Sequence, residues 1–520
     1  MAKILIIGGG VSGLSCGIYA QLAGHNAVIC EKTATPGGNL TGWDRDGYHI
    51  DNCIHWLCGT NPRSASYRMW QELGVLGGVP IRQGESLYTV EFAGRRLSLY
   101  CDLEKLEREM TAISPEDRRE IRSLMRGVRA AQRFIGAPNE NGSTGTGLFT
   151  RAAAVPALHK YYLLTAGELA LRFKHPLIRR FLTALLTEKF GALGLIVVMA
   201  DYCAKNAGIP AGGSTAMAGR LTARFESLGG TLLTGREAVR INMKGDRAVS
   251  VRFADGTEIT ADYFVSAADP SAVFGKLIDR PMPPQLARLY RNKRLVCFSS
   301  WHCAFACDQL KLPFTGDFIL KLPPEHASAA EGGNIALREF SHEPSFAPEG
   351  KSILQTLGML NAKKAKALAE LGADPEAYRC KKAELASIAG EAIIKTFPEL
   401  AGKLRLLDCW TPKTYRRYFG SDIGAYMSFA FSSRVLPLPV GCRVPGIENL
   451  VLATQWQQPP GGLPIAASAG KRAAERICLL ARRESVARPS SAYKRQLRTA
   501  VPGAGALLYT KQAKIAKRIY

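Results

Sequence analysis

The first hydrophobic positions of the chain form a continuous run, Ile4-Leu5-Ile6-Ile7, and glycines follow at once. A short apolar run with β-branched residues predicts a buried parallel strand. The apolar segment from Leu14 to Leu22 predicts a helix, and a second apolar run, Ala27 to Cys30, predicts another strand. The start of the chain therefore predicts a βαβ unit.

Regular patterns of the same kind return much later in the chain. Residues 216–228 predict a helix, and strands are predicted within 229–234, 237–241, 248–253, 258–260 and 263–268. The dipeptide Asp255-Gly256 predicts the tight turn that pairs two of these strands. A last strand over residues 449–453 and a helix over 465–481 flank a glycine–proline loop. These separated regions predict one α/β unit that is interrupted by insertions.

The intervening regions have a different pattern. Helical spacing begins near Leu103, and apolar residues recur at helical spacing from Tyr161 to about Ala204. Ordinary helix packing and the wall of an apolar cavity both explain this stripe, which contains Leu177, Ile178, Phe181, Leu182, Leu185 and Leu186.

We therefore predict an α/β fold with a discontinuous parallel-sheet domain over residues 1–100, 205–270 and 441–485. A mixed α+β substrate domain is predicted over residues 101–204 and 271–440. Residues 137–147 are predicted to form a flexible surface connection, and residues 486–520 a basic tail.

Composition narrows the class of protein. A chain of 520 residues with 47% hydrophobic and 22% charged residues indicates a folded protein with more than one domain. The predicted strand begins at Lys3 and leaves no room for a leader, and the apolar stretch near 190–200 is too short to cross a bilayer. We therefore expect a cytoplasmic protein. Thirteen scattered cysteines and eight histidines show no ligand spacing, so free thiols and no metal site are predicted.

The charge balance points to an anionic surface as a partner. The formal net charge is +24, and no acidic residue follows Glu484. Such a chain is attracted to anionic lipid headgroups, although a solvated tail without a partner explains the same charge. We expect no nucleic-acid binding, because no groove-reading or base-stacking module is found.

Three glycines carry the candidate chemistry at the first strand. Gly8 permits a tight turn, Gly10 lets the backbone approach a pyrophosphate, and Gly13 lets the helix pack closely on the strand. Glu31 follows the second strand, where its carboxylate can accept hydrogen bonds from a ribose. A glycine-rich turn without a ligand is the alternative, but the strand, the helix and Glu31 together favour a dinucleotide, so the discontinuous domain is predicted to be a Rossmann-like dinucleotide-binding domain.

Two further blocks extend this motif. Pro36-Gly37-Gly38 forms a second glycine loop, residues 212–270 carry the later strands, and residues 449–474 carry the final strand, loop and helix. In these blocks and in their order, the chain resembles the phytoene desaturase and carotenoid isomerase group of FAD-dependent oxidoreductases, which have an amine-oxidase-like fold. The resemblance implies FAD as the cofactor, held by Gly8, Gly10, Ser12, Gly13, Glu31, Lys32, Gly37, Gly38, Val239, Gly461, Gly462 and Leu463.

The same resemblance implies a reaction on C–C or C=C bonds of an apolar polyene or isoprenoid lipid, by hydride transfer to flavin N5. His55, Trp56 and Trp456 are the candidates for residues near the flavin, with packing as the alternative role for each. Trp456 lies in Gln455-Trp456-Gln457-Gln458, where many relatives have a glycine-rich sequence. No catalytic base is assigned.

Other functions stay open from the sequence. A saturase or isomerase of the same fold, similar to retinol saturase or carotenoid isomerase, needs the same cofactor. An amine oxidase and a flavin-fold lipid-binding protein without turnover are further alternatives. The electron acceptor is not assigned, because no second nucleotide motif is visible. A lipid substrate and the basic tail predict peripheral attachment to the inner face of the membrane.

Overall fold

The computed structural model describes residues 1–136, 148–308, 312–421, 423–435 and 438–487. The predicted connection at residues 137–147 and the basic tail beyond Ala487 lie outside these described residues. No helix within the described part of the chain is long and apolar enough to cross a bilayer.

The described residues form twenty-one strands and fifteen helices. The strands are β1 (Lys3–Ile7), β2 (Asn26–Cys30), β3 (Gly42–Arg45), β4 (Tyr48–Asp51), β5 (Leu57–Cys58), β6 (Ile81–Arg82), β7 (Ser86–Phe92), β8 (Arg95–Tyr100), β9 (Ala207–Pro210), β10 (Thr231–Leu233), β11 (Ala238–Lys244), β12 (Arg247–Phe253), β13 (Glu258–Thr260), β14 (Tyr263–Ser266), β15 (Leu295–Asp308), β16 (Asp317–Lys321), β17 (Asn334–Glu339), β18 (Lys351–Asn361), β19 (Arg405–Trp410), β20 (Phe429–Phe431) and β21 (Leu450–Leu452). The helices are α1 (Val11–Leu22), α2 (Ala65–Glu72), α3 (Leu103–Ile113), α4 (Arg118–Ile135), α5 (Leu148–Tyr162), α6 (Ala166–Ala170), α7 (Pro176–Ala184), α8 (Ala192–Cys203), α9 (Gly213–Ser227), α10 (Pro270–Val273), α11 (Pro284–Arg291), α12 (Ala362–Leu371), α13 (Pro375–Thr396), α14 (Pro412–Phe419) and α15 (Leu463–Ala487).

A five-stranded parallel sheet forms the centre of the dinucleotide-binding region. Its strand order is β10-β2-β1-β14-β21, so distant parts of the chain meet side by side. Helices α1, α9 and α15 cover one face, and the antiparallel sheet β11-β12-β13 covers the other. Burial on both faces explains why these strands are continuously apolar. The predicted α/β fold is confirmed.

A second, eight-stranded sheet forms the base of the other region. Its order is β19-β15-β18-β17-β16-β7-β8, with β20 paired to β15, and every pairing except β16 with β7 is antiparallel. Helices α12 and α13 pack on one face of this sheet. A layer of helices from α3 to α8 packs beside β7 and β8.

The domain boundaries stay a proposal. Strands β7 and β8 precede residue 100, yet they pair in the eight-stranded sheet. We therefore propose that the boundary between the first dinucleotide-binding segment and the substrate region lies near residue 85 rather than residue 100.

Candidate functional site

A cavity of about 1690 Å³ lies between the two sheets and the helical layer. This volume exceeds the roughly 300–1,000 Å³ that is typical of a site for one drug-sized ligand. The cavity therefore has room for a dinucleotide and a second ligand. Its walls include nearly all predicted site residues: Gly8, Gly10, Ser12, Glu31, Lys32, Gly37, Gly38, His55, Trp56, Val239, Trp456, Gly461, Gly462 and Leu463.

The glycine loop after β1 brings the backbone to the cavity wall. Gly8 has a positive φ of 104°, a conformation that favours glycine. Gly13 lies behind the wall, where a Cβ atom would be 1.9 Å from the carbonyl oxygen of Gly8. Gly10 pairs with Gly37 in an isolated bridge, so the two glycine loops lie next to each other. This arrangement leaves the start of α1 open to an anionic ligand.

Glu31 lies beside this loop with its carboxylate buried. One oxygen, Oε2, accepts a hydrogen bond of 2.7 Å from Gly9 N, and the other accepts from the amide and hydroxyl of Thr33. Because a carboxylate offers about four acceptor positions, Oε2 retains one for a ribose hydroxyl. The neighbouring Lys32 is held by a hydrogen bond of 2.9 Å from its Nζ to the carbonyl oxygen of Arg417.

Val239 lies where the pairing of β11 with β12 slips by one residue. Ala238 pairs with Phe253 and Arg240 with Arg252, so Val239 has no partner in the register. A residue skipped in this way keeps its backbone polar groups outside the ladder. The backbone of Val239 is thus suited to contact an adenine ring.

The final glycine loop leads into the N-terminus of α15. Gly461 has a φ of 77°, and a Cβ atom there would lie 2.7 Å from Gln455 Oε1. The same Gln455 oxygen accepts a hydrogen bond of 2.8 Å from Gly462 N. The glutamine that departs from the glycine-rich pattern therefore holds this loop in place.

Trp456 packs rather than projecting freely into the cavity. Its ring stacks on Tyr290 at 5.6 Å and meets the edge of Phe429 at 5.0 Å. Tyr290 in turn donates a hydrogen bond of 2.9 Å to Asp269. Trp456 thus joins a buried aromatic cluster that also forms part of the wall.

A polar group of residues lies in the middle of the cavity wall. His55 and Trp56 both contribute, with their rings 6.5 Å apart in a T-shaped arrangement. His55 faces Asp317, which is buried and paired with Arg338. The sequence analysis missed Asp317 and Arg338, because their approach depends on the register between β16 and β17.

A second buried carboxyl group was also missed. Asp201 lies on the face of α8 that lines the cavity and accepts a hydrogen bond of 2.8 Å from Asn206. Burial raises the pKa of Asp201 to about 6, and the Asn206 hydrogen bond limits the rise. The available signal in the sequence was an acidic residue, Asp201, directly after the apolar run of residues 192–200.

The part of the cavity wall formed by α8, the segment after α7 and the eight-stranded sheet is mostly apolar, and we call it the apolar chamber. The face of the eight-stranded sheet opposite α12 and α13 contributes alternate residues, as its register requires. Of the predicted apolar stripe, four residues belong to the helical core, whereas Leu185 and Leu186 line the cavity. The apolar lining includes Leu185, Leu186, Phe190, Leu193, Val197, Val198, Phe298, Ile319, Ala336, Leu357 and Met359.

The residues present fit FAD. A backbone cradle free of side chains, a buried carboxylate with a spare acceptor position, an unpaired backbone segment at Val239 and a helix N-terminus all lie on one wall. Within the described residues, no cluster of His, Cys, Asp or Glu could hold a metal ion. The fold and site thus define a dinucleotide-dependent enzyme with an adjoining apolar chamber.

Comparison with known proteins supplies the family. The model of the family "Flavin containing amine oxidoreductase" matches residues 11–478, so the chain belongs to this family. It is an FAD-dependent oxidoreductase, as predicted.

Individual relatives are similar over most of the chain at modest identity. Prolycopene isomerase from Daucus carota is 24% identical over 81% of this chain and 71% of its own length. Phytoene desaturase (neurosporene-forming) from Rhodobacter capsulatus is 22% identical over 92% of this chain and 94% of its own. The crystal structure of an oxidoreductase from Methanosarcina mazei has a TM-score of 0.59 at 17% identity, covering 91% and 99% of the two chains, which supports the fold.

Proposed function

We propose that this enzyme acts on C–C or C=C bonds of an apolar polyene or isoprenoid lipid, with desaturation as its main reaction. The observation that carries the proposal is the continuity of the apolar chamber with the predicted FAD cradle in one cavity. Bound FAD would supply a two-electron acceptor for hydride. The relatives named as a phytoene desaturase and a prolycopene isomerase support this substrate class.

The chain's own residues contribute binding and exclusion of water. Apolar side chains of α8 and of the eight-stranded sheet would hold a hydrocarbon by burial, without fixing it through hydrogen bonds. A chamber of this kind keeps water from the reacting carbons. Isomerisation would use the same chamber and differs only in having no net transfer of electrons to an acceptor.

The proposal is tested by anaerobic mixing of the purified flavoprotein with phytoene in lipid vesicles. We expect the visible absorbance of oxidised flavin to bleach as a product with one more double bond forms. Bleaching by amines but not by polyenes would overturn the proposal. Conversion of cis to trans isomers by the reduced enzyme, with no change in the number of double bonds, would favour the isomerase.

A matched pair of variants links the reaction to the chamber. Val197 lines the chamber, whereas Val249 lies exposed on the small sheet β11-β12-β13. Val197→Glu places a charge against the hydrocarbon, so we expect turnover of the polyene to fall at least about 10-fold with FAD content unchanged. Val249→Glu is expected to retain wild-type turnover. Equal turnover in both variants would contradict the placement of the substrate.

We further propose that the mouth of the chamber contacts an anionic lipid surface. This mouth is marked by three exposed apolar residues of the cavity wall: Phe134, Val155 and Leu438, which are 43%, 49% and 67% exposed. Helix α5 contains Arg151 and Lys160 but no acidic residue, so the charge beside these apolar groups suits anionic headgroups. Arg434 adds a further positive charge beside α5, because its backbone amide donates a hydrogen bond to the carbonyl oxygen of Tyr162, the last residue of that helix.

A further inference from the structure

The sheet register places a buried ion pair beneath the cavity. Asp317 on β16 lies directly opposite Arg338 on β17, and both side chains are buried. Arg338 Nε donates a hydrogen bond of 2.6 Å to Asp317 Oδ1. Arg338 also donates at 2.8 Å to the carbonyl oxygen of Ile54, which ties the pair to the segment carrying His55.

His55 connects this pair to the cavity. Its Nδ1 lies 3.4 Å from Asp317 Oδ2, the oxygen that Arg338 Nε does not use, and 29% of its side chain is exposed. A carboxylate at Nδ1 favours the tautomer with its proton on that nitrogen, which leaves Nε2 free to accept a proton.

The charges around His55 favour this arrangement. Burial is the largest single effect and would raise the pKa of Asp317, but the charges and hydrogen bonds of Arg338 and His55 together hold that pKa below its ordinary value. Burial lowers the pKa of His302 well below its ordinary value, so this neighbouring ring stays neutral. Asp51, the remaining carboxylate beside this group, is engaged by the amide and hydroxyl of Ser214.

We propose that His55 is the proton-transfer group of the reaction and that Asp317, held by Arg338, is its positioning residue. This inference rests on the proposed function. In a desaturation, one carbon of the substrate loses hydride with two electrons to FAD, and the adjacent carbon loses a proton to Nε2 of His55. The CH–CH bond becomes C=C, FAD is reduced, and the exposed imidazole returns the proton to solvent.

The first test compares His55→Gln with His326→Gln. His326 also faces a carboxylate, with its Nε2 3.7 Å from Glu391, but it lies outside the cavity. Because a positioned base contributes about 10²–10⁴ in rate, we expect His55→Gln to lower kcat at least about 100-fold, with bound FAD unchanged. His326→Gln is expected to match the wild type. A His55→Gln enzyme with the wild-type kcat and pH profile would overturn the inference.

The second test measures the tautomer of the His55 imidazole by NMR, independently of turnover. In the FAD-loaded protein with ¹³C-labelled histidine, the His55 resonance is identified by its loss in His55→Gln. Asp317→Asn removes the facing carboxylate, so we expect the share of the tautomer with its proton on Nδ1 to fall, which the ¹³C shifts of the ring report. An unchanged ratio of the two His55 tautomers would overturn the role of Asp317.

These two readouts separate failure of the inference from failure of the proposed function. If the wild type converts no polyene, the proposed function fails, while the NMR measurement of the His55 tautomer still decides whether Asp317 acts on His55. Asp317→Asn leaves Arg338 buried beside a neutral group, which destabilises the fold. His55→Gln keeps the ion pair intact and therefore tests the inference even if Asp317→Asn does not fold.

Discussion

At the scale of single residues, the buried carboxyl group of Asp201 makes the stability of the protein depend on pH. Its side chain lies in the cavity wall with only 9% of its surface exposed, and burial raises its pKa from 3.8 to about 6. The folded protein therefore binds this proton more tightly than the unfolded chain does. Protonated Asp201 therefore contributes fully to stability below about pH 4, and this contribution is lost as the pH rises through 6.

Asp201→Asn removes this titration while the amide oxygen can still accept the Asn206 hydrogen bond. Since one pKa unit corresponds to about 1.4 kcal/mol, the wild type should lose about 3 kcal/mol relative to Asp201→Asn between pH 4 and pH 8. Hydrogen exchange of the amides of α8, compared between the two proteins at each pH of this range, measures the difference. Asp279→Asn, at an exposed position, should run parallel to the wild type. If stability depended on pH in the same way in Asp201→Asn and in the wild type, the raised pKa of Asp201 would be contradicted.

Residues whose constraint is local could be predicted from the sequence. Gly13 and Glu31 belong to a strand–turn–helix motif in which spacing along the chain fixes spacing in the structure. The approach of Asp317 to Arg338 follows instead from the register between two strands, and that of His55 from a loop more than 250 residues away. Spacing along the sequence does not reveal such contacts. His55 could therefore be named as a candidate, but its contact with Asp317 could not be predicted.

At the scale of elements, helix α5 carries both buried and exposed apolar residues, and its sequence pattern alone did not distinguish them. Apolar residues occur around much of this helix, and Val155 is exposed while Ala154 and Leu158 are buried. The predicted stripe farther along divided in the same way, because α7 ends at Ala184 and the residues after it turn toward the cavity. Burial by neighbouring elements, rather than periodicity, decides which apolar residues form core and which form a mouth.

The proposed lipid contact at this mouth predicts a specific loss of vesicle binding. Phe134→Glu combined with Leu438→Glu adds two negative charges where we expect anionic headgroups, so sedimentation with anionic vesicles should fall about 10-fold or more. Leu479→Glu, at an exposed apolar position of α15 outside the cavity, is the control and should sediment as the wild type does.

Removal of residues 486–520 tests the alternative attachment through the basic tail. Co-sedimentation is compared for vesicles with and without anionic lipid. If the truncated protein loses binding while the mouth variant keeps it, the tail rather than the mouth carries the contact. Binding that is equal for both vesicle compositions would contradict the electrostatic part of the proposal.

At the scale of the whole molecule, the proposed FAD cradle is assembled from parts of the chain that are far apart. Gly8 and Glu31, Val239, and Gly462 line one cavity although more than 400 residues separate the first from the last. The order of the parallel sheet explains this, since β1, β10 and β21 belong to one sheet. Occupation of the cradle is therefore linked to the folding of the entire dinucleotide-binding region.

Removal of FAD should consequently loosen all of these segments together. At a free FAD concentration 100-fold above Kd, binding stabilises the folded state by about 2.7 kcal/mol, which corresponds to roughly 100-fold slower exchange of amides that open only when the region unfolds. Hydrogen exchange is the suitable measurement, because a chain of several domains with a cofactor does not unfold in a single transition. We expect β2, β11 and the first turns of α15 to gain protection together when FAD is added to the apoprotein.

Riboflavin provides the control for this experiment. It carries the ring system but lacks the pyrophosphate, ribose and adenine that the glycine loop, Glu31 and Val239 are expected to hold. Protection by riboflavin should therefore stay confined to the segments near Gly461 and Gly462. If riboflavin protected β2 and β11 as strongly as FAD, or if FAD protected only one of the three segments, a cradle shared by distant parts of the chain would be contradicted.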